Sequence, residues 1–156
     1  MHTTLWRRDI PEQAVAALRE GLGERLVAVV LFGSRARGDA YPESDWDLLI
    51  LAEGLPENPL ERQLSVSRLL PSKLPAAISA VAKTPREFEA GLTSLCLDIA
   101  LDGQILYDPV AYAADRLAML RRLLAEAGLY RERTEAGDQW RWRTEPTGAW
   151  SLEWKR

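Results

Sequence analysis

Apolar and polar residues alternate along the chain in blocks that predict strands and helices in turn. Two short, nearly unbroken apolar runs, Leu26 to Phe32 and Trp46 to Leu51, are typical of strands buried on both faces. Two weaker strands are predicted at Ala76 to Lys83 and at Gln104 to Tyr107. Strands that alternate with helices of this length predict an α/β fold with one small mixed sheet of about four or five strands, flanked by helices.

Helical periodicity separates these strands. A first helix is predicted with Pro11 in its first turn. Its apolar stripe consists of Val15, Leu18 and Leu22. A capping-box sequence at Asn58 opens a second helix that should stop at Pro71, and another at Thr84 opens a third that should continue unbroken to about Asp102.

The last helix of the core is predicted to open at Asp108 and Pro109 and to end at Gly128, a residue type favoured at helix C-termini. Its inward-facing residues would be Val110, Ala113, Leu117, Leu120 and Leu124. We therefore expect one domain over 1–128 and an appendage over 129–156.

The appendage is rich in tryptophan. Period-two alternation predicts two strands, Gln139–Thr144 and Ala149–Trp154, which would pair as a hairpin around the turn sequence Pro146-Thr147-Gly148. An isolated hairpin is marginally stable in water, so this one should pack on the domain or on the partner of a homodimer. Its aromatic residues could also stack on unpaired bases, but its nearly balanced basic and acidic residues favour the cover for an apolar surface.

Composition narrows the classes of function. The 156 residues include one cysteine and one histidine, which excludes an intrachain disulfide and leaves no Cys/His set for zinc. Twenty Lys and Arg against 23 Asp and Glu give a net charge of −3, so the chain lacks the basic excess of a non-specific nucleic-acid binder. We find no apolar run of the length of a signal peptide or membrane span, and we expect a cytoplasmic protein with no membrane partner.

The stretch between the two strongest strands carries the candidate chemistry. Gly33 would let a phosphate approach the backbone N–H groups that follow the first strand, and the hydroxyl of Ser34 adds a donor. Asp45 and Asp47 open the second strand, and residues i and i+2 of a strand share a face, so their carboxylates would lie side by side. Two like charges held this close favour a hard divalent cation such as Mg²⁺ between them.

Two nucleotide-binding patterns can be compared with this stretch. Gly33 and Gly38 have the spacing of a P-loop, but Asp39 and Ala40 stand where that motif needs Lys and Ser or Thr, which excludes it. The whole pattern, GSRARG and then SDWDLL between two buried strands, resembles the nucleotidyltransferase superfamily that includes DNA polymerase beta. The match is best to the minimal, stand-alone members, and looser similarity continues through TPREFE and LDIALDGQILYDP.

The resemblance implies a fold and a reaction. It implies the polymerase-beta-like nucleotidyltransferase fold, a triphosphate held by the glycine-serine turn, and Mg²⁺ or Mn²⁺ held by the aspartate pair. A nucleoside monophosphate would move from a nucleoside triphosphate, ATP by default, to an acceptor hydroxyl, with pyrophosphate leaving. Arg35 and Arg37 are close enough to balance phosphate charge, or they are solvated residues of a short helix.

The same resemblance raises a question about turnover. It implies a third carboxylate on the next strand, which completes the metal site and accepts the proton of the nucleophile. Here that strand contains no acid, and the expected position falls near Ser79. Asp98 is the substitute candidate for a third catalytic carboxylate; otherwise the chain binds nucleotide and catalyses slowly or not at all.

The resemblance also implies a kind of partner. Minimal members of the superfamily are often antitoxins paired with a small helical protein called HEPN, which this chain would neutralise by contact or by adenylylation. The acceptor itself stays open, with protein, RNA and small hydroxyl compounds as the alternatives.

Overall fold

The first helix begins earlier than its proline predicts. A computed structural model describes residues 3–74 and 76–154, with the backbone alone for 3–9. Helix α1 spans Thr3–Leu22, so Pro11 lies inside it and not in its first turn. The residues around Pro11 that face the sheet, Ile10 and Ala14, are fully buried, and this packing offsets the backbone hydrogen bond that an internal proline removes.

The sheet has four strands in the order β3-β2-β1-β4. They are β1 (Leu26–Phe32), β2 (Trp46–Ala52), β3 (Ile78–Lys83) and β4 (Gln104–Tyr107). Strand β1 is antiparallel to both β2 and β4, whereas β2 and β3 are parallel. The predicted mixed sheet is confirmed, and its two central strands are the two that the apolar runs predict.

Both faces of the central strands are buried because helices cover both sides. Alternate residues of β1 point into different cores, with Val30 in one and Val29 in the other. Helices α1 and α3 (Pro59–Leu69) supply buried side chains to the Val29 core. Helices α5 (Ser94–Asp102) and α6 (Tyr112–Ala127) supply them to the Val30 core. This double cover explains why the two strands show no polar alternation.

The prediction of one unbroken helix after Thr84 is wrong. The segment forms α4 (Pro85–Glu89) and α5, separated by a short connection. Each helix has its own N-cap: the Thr84 hydroxyl accepts from the Glu87 N–H at 3.1 Å, and the Thr93 hydroxyl accepts from the Cys96 N–H at 3.4 Å. The second cap satisfies the free N–H groups of a new helix start, so the chain can change direction there.

Helix α6 begins later than predicted. The Asp108 carboxylate accepts from the backbone N–H groups of Ala113 and Ala114, at 3.1 and 2.8 Å, so it caps a helix that begins four residues further on. Val110 therefore lies in the connection and is 76% exposed, and the prediction that it faces inward is wrong. The helix ends at Gly128 in the left-handed conformation, as predicted.

A C-terminal hairpin is present, but its strands are not the predicted pair. Strand β5 (Leu129–Thr134) follows α6 directly and pairs with β6 (Gly137–Trp142), whereas residues 149–154 form no strand. The predicted pairing of 139–144 with 149–154 is wrong because a two-residue connection before Gly137, at φ 109°, closes the hairpin sooner.

Three of the four tryptophans of this segment pack on the domain, and the fourth, Trp150, is 54% exposed. Trp140, Trp142 and Trp154 contact the core on the α5 and α6 side, and the Trp154 and Phe88 rings have centroids 5.6 Å apart. Lys155 and Arg156, the last residues of the predicted appendage, lie outside the described residues. Among the helices described, none has the length and apolar character needed to cross a bilayer.

Candidate nucleotide and metal site

Strand register brings the glycine-serine turn next to the aspartate pair. The last residue of β1, Phe32, pairs with Asp47 of β2, and the next residue, Gly33, begins the short helix α2 (Gly33–Arg37). Gly33 has φ 72°, and a Cβ built on it would lie 2.1 Å from the Asp47 Oδ2. Only glycine therefore lets the Asp47 carboxylate lie against the backbone of the turn.

Asp45 and Asp47 flank Trp46 at the start of β2. Trp46 is buried in the core on the α1 side, so the alternation of the strand directs the two carboxylates to the opposite face. Asp45 is exposed and Asp47 is half-buried. Burial raises the pKa of Asp47, the charge of Asp45 raises it further, and the nearby Arg37 lowers it.

This pair of carboxylates fits a hard divalent cation. Mg²⁺ in proteins is usually held by one or two carboxylates together with phosphate oxygens of the substrate. Burial is the main cause of the raised pKa of Asp47 and the charge of Asp45 adds to it; a cation between the two carboxylates would offset both effects. The arrangement can therefore hold a metal ion against a bound phosphate chain without a third protein ligand.

The third carboxylate is absent from the position where it was expected. Strand β3 pairs Ser79 directly with Asp47 in parallel register, which places Ser79 beside the aspartate pair. Asp98 does not join them, because its carboxylate accepts from the Arg131 guanidinium at 3.0 Å. Over the described ranges, no group of three or more Asp, Glu, His or Cys could hold a metal ion. The geometry thus does not meet the expectation for Asp98, whose helix directs it to an ion pair with the hairpin.

The two arginines of α2 lie in different surroundings. Arg35 donates from Nη2 to the backbone carbonyls of Pro42 and Ser44, at 3.1 and 2.9 Å. Arg37 instead forms an ion pair with Asp39 and lies 3.6 Å from an Asp102 oxygen. Of the two, Arg37 is the one whose charge acts on the Asp47 carboxylate.

Residues of the hairpin border this site, and they were not predicted. Arg131 of β5 makes a two-pronged hydrogen bond with Asp102, at 2.6 and 2.7 Å, which raises the pKa of Arg131. Arg133 of the same strand forms an ion pair with Asp39 at 2.6 Å. The period-two spacing of the two arginines was the available signal, because it places both on one face of a strand.

We expect Arg131→Ala to destabilise the fold. Asp102 is only 9% exposed, and it would lose two charged hydrogen bonds while keeping the more distant Arg37. The free energy of unfolding should fall by about 1–3 kcal/mol. Urea unfolding checks this, with Arg141→Ala as the control, because the Arg141 pair with Glu132 is about half exposed and should contribute less than about 1 kcal/mol. Equal effects of the two variants would contradict the prediction.

Residues 21–109 match the sequence profile of the family described as polymerase beta, nucleotidyltransferase. The match includes the four strands of the sheet, the glycine-serine turn and the aspartate pair. The chain belongs to this family. It is therefore a nucleotidyltransferase, an enzyme that transfers a nucleoside monophosphate from a nucleoside triphosphate.

The nucleotidyltransferase is similar to a curated protein of Methanocaldococcus jannaschii. The two are 28% identical over 104 residues, which cover 64% of this chain and 71% of the relative. The provisional name of that relative is protein adenylyltransferase.

Solved structures confirm the fold of the nucleotidyltransferase. A toxin-antitoxin structure with AMP-PNP superposes with a TM-score of 0.53 at 23% identity, over 74% of this chain and 90% of the other. The spectinomycin adenyltransferase of Enterococcus faecialis, solved with ATP and spectinomycin, gives 0.52 at 12% identity, over 77% of this chain and 65% of the other. At these identities the likeness shows the polymerase-beta-like fold alone.

Proposed function

We propose that this nucleotidyltransferase is a Mg²⁺-dependent adenylyltransferase that transfers AMP from ATP to a hydroxyl group of a protein, with pyrophosphate leaving. The observation that carries the proposal is the packing of the Asp47 carboxylate against Gly33, with Asp45 beside it on the same face. This packing supports a cation site in contact with a phosphate-binding turn.

Each part of the site has a role in the proposed reaction. The backbone of Gly33 and the hydroxyl of Ser34 bind the triphosphate, and Arg37 balances its charge. Asp45 and Asp47 hold Mg²⁺, which when bound neutralises charge on the transferring phosphate and lowers the pKa of the attacking hydroxyl. The carboxylate pair and the turn also orient the phosphate chain for attack.

A protein acceptor is supported by two similarities. The relative from Methanocaldococcus jannaschii is named for adenylylation of proteins, and the fold is shared with a toxin-antitoxin structure that contains an ATP analogue. We therefore propose a HEPN-type helical toxin as the acceptor, with the present chain as the antitoxin and with adenylylation as the means of neutralisation. Neutralisation by contact alone is the second candidate function, and the toxin-antitoxin likeness supports it equally.

Thermal unfolding with each nucleoside triphosphate tests the nucleotide site without knowledge of the acceptor. Ligand at 100 times its dissociation constant stabilises a protein by about 2.7 kcal/mol. At this chain length that corresponds to a rise in midpoint of roughly 5–10 °C. We expect the rise with ATP and Mg²⁺, and its loss with EDTA or in Asp45→Asn. A rise in that variant as large as in the wild type would contradict the proposal.

Label transfer then separates the two candidate functions. With α-labelled ATP and a co-purifying helical protein, adenylylation predicts label on that protein and release of pyrophosphate. Stable binding of the partner without label would support contact alone.

The position of Ser79 predicts that turnover can be improved. Because Ser79 pairs with Asp47, Ser79→Asp would add a carboxylate where the nucleophile's proton could be accepted. General bases contribute about 100- to 10,000-fold, so we expect at least roughly a tenfold rise in kcat even from an unoptimised one. Ser79→Asn is the matched control, since it adds similar volume without a base. An equal effect of the two variants on kcat would contradict the prediction.

A further inference from the structure

Asp45 belongs to a loop whose conformation is not fixed by secondary structure. Residues 38–45 connect α2 to β2, and we call them the 38–45 loop. Within it, the Tyr41 N–H donates to the Ser44 hydroxyl at 2.9 Å, and the Ser44 N–H donates to the Tyr41 carbonyl at 3.0 Å. Asp45 itself is exposed, and the first strand-like bond comes only at Trp46, whose N–H donates to Ala77. The position of Asp45 therefore depends on what holds this loop.

Arg37 and Arg133 hold the 38–45 loop near its start, at Asp39, whereas Arg35 holds its other end, next to Asp45. The Arg35 Nη2 donates to the carbonyls of Pro42 and Ser44, the second of which directly precedes Asp45. Its guanidinium carbon also lies 4.7 Å from the centroid of the Trp46 ring, the residue directly after Asp45. The contacts of Arg35 thus include both chain neighbours of Asp45.

This environment does not suit a phosphate ligand. Trp46 is 8% exposed and packs in the core on the α1 side, on the face of β2 opposite to Asp45 and Asp47. An arginine stacked on Trp46 therefore lies on the side of the sheet away from the carboxylates. Arg37, two residues further along α2, lies on their side instead, because its Nη1 is 3.6 Å from an oxygen of Asp102 in α5, a helix that packs on that face of the sheet.

We propose that Arg35 is a positioning residue, which holds the 38–45 loop so that the Asp45 carboxylate lies beside Asp47 in the conformation that binds metal. The metal part of this inference rests on the proposed function, whereas the loop part does not. The planar guanidinium can donate two hydrogen bonds within its plane and stack on an indole at the same time. A lysine can supply only one of these contacts in a fixed geometry.

Three variants and one control test this role. Arg35→Ala removes the contacts and Arg35→Lys keeps the charge. Arg37→Ala removes the arginine on the carboxylate side. Arg25→Ala is the matched control, because Arg25 also donates to a backbone carbonyl, that of Gly54 at 3.4 Å, beyond the opposite end of β2. Circular dichroism establishes that each variant is folded.

The first measurement is amide hydrogen exchange without metal or nucleotide. In Arg35→Ala the N–H groups of Tyr41 and Ser44 should exchange about tenfold faster or more, because the loop opens more often. Arg35→Lys should lie between Arg35→Ala and wild type, and Arg25→Ala should match wild type. Unchanged exchange in a folded Arg35→Ala would overturn the proposal whether or not the protein binds nucleotide.

The second measurement is the affinity for Mn²⁺ in the presence of a non-hydrolysable ATP analogue. Binding is detected by the electron paramagnetic resonance signal of Mn²⁺. Loss of a residue that orients metal ligands typically weakens metal binding by about 10–100-fold, and we expect this for Arg35→Ala. Without metal, Arg35→Ala should bind the analogue like wild type, while Arg37→Ala binds it less tightly. Equal weakening by both variants without metal would make Arg35 a phosphate ligand and overturn the proposal. If wild type failed to bind Mn²⁺, the proposed function would fail, and hydrogen exchange would still decide the role of Arg35 in the loop.

Discussion

Asp47→Asn is expected to lower the rate of AMP transfer by roughly a thousandfold, which corresponds to about 4 kcal/mol of transition-state stabilisation. In the proposed site, Asp47 supplies half of the charge that would hold the cation, at the point where β2 lies against the glycine-serine turn. Asparagine has nearly the same shape but no charge, so it removes the cation without changing the packing. Initial rates of label transfer measure the effect.

Two controls separate this loss from loss of folding. Glu43→Gln removes an exposed acid of the neighbouring 38–45 loop and should leave the rate within about twofold of wild type. The metal-free Asp47→Asn protein should be at least as stable as wild type at neutral pH. The pKa of Asp47 is raised in the folded protein, so its ionised form is disfavoured there and the neutral amide is not. A variant that unfolds more easily, or one that keeps its rate, would contradict the assignment.

Gly33→Ala should remove both the activity and part of the stability. A methyl group on Gly33 would lie 2.1 Å from the Asp47 Oδ2, so the carboxylate must move from the position where it meets its partner Asp45. The residue also has φ 72°, and non-glycine residues held in this region cost about 1–3 kcal/mol. We expect AMP transfer to fall at least as far as in Asp47→Asn, together with a lower free energy of unfolding.

The control for this variant is Gly23→Ala. Gly23 also has positive φ, 57°, but an added Cβ would meet nothing within 4 Å, and the residue lies between α1 and β1. Its substitution should reduce stability through the backbone alone and leave the rate of AMP transfer unchanged. Equal effects of Gly33→Ala and Gly23→Ala on the free energy of unfolding and on the rate of AMP transfer would contradict a role for the contact between the turn and Asp47 in activity.

The errors in the predicted elements have different physical origins. The predicted start of α1 was too late because proline is intrinsically favoured in the first turn of a helix. The burial of Ile10 and Ala14 outweighs the cost of having Pro11 inside the helix. The predicted hairpin lay too far toward the C-terminus because Pro146 and Gly148 are a strong turn signal. The two-residue connection before Gly137 is a weaker turn signal, but it closes a shorter loop. Packing against distant residues decided the start of α1, whereas a shorter local loop decided the hairpin.

The amino-acid sequence by itself determined the central strands β1 and β2, the glycine-serine turn and the side-by-side carboxylates of Asp45 and Asp47. These features depend on hydrophobic runs and on the two-residue period of a strand, which are local properties. The family followed from the same short stretch, and the match over 21–109 confirms it.

Only the tertiary structure decided how these pieces meet. The contact of Gly33 with Asp47 depends on the pairing of β1 with β2, and the place of Ser79 depends on the pairing of β3 with β2. The partners of Arg35 and Asp98 also depend on the tertiary structure. Arg35 donates to carbonyls of the 38–45 loop, and Asp98 accepts from Arg131 of the hairpin. Strand register and charge pairing between segments far apart in the chain determine these contacts. A local pattern of residues carries no information about either.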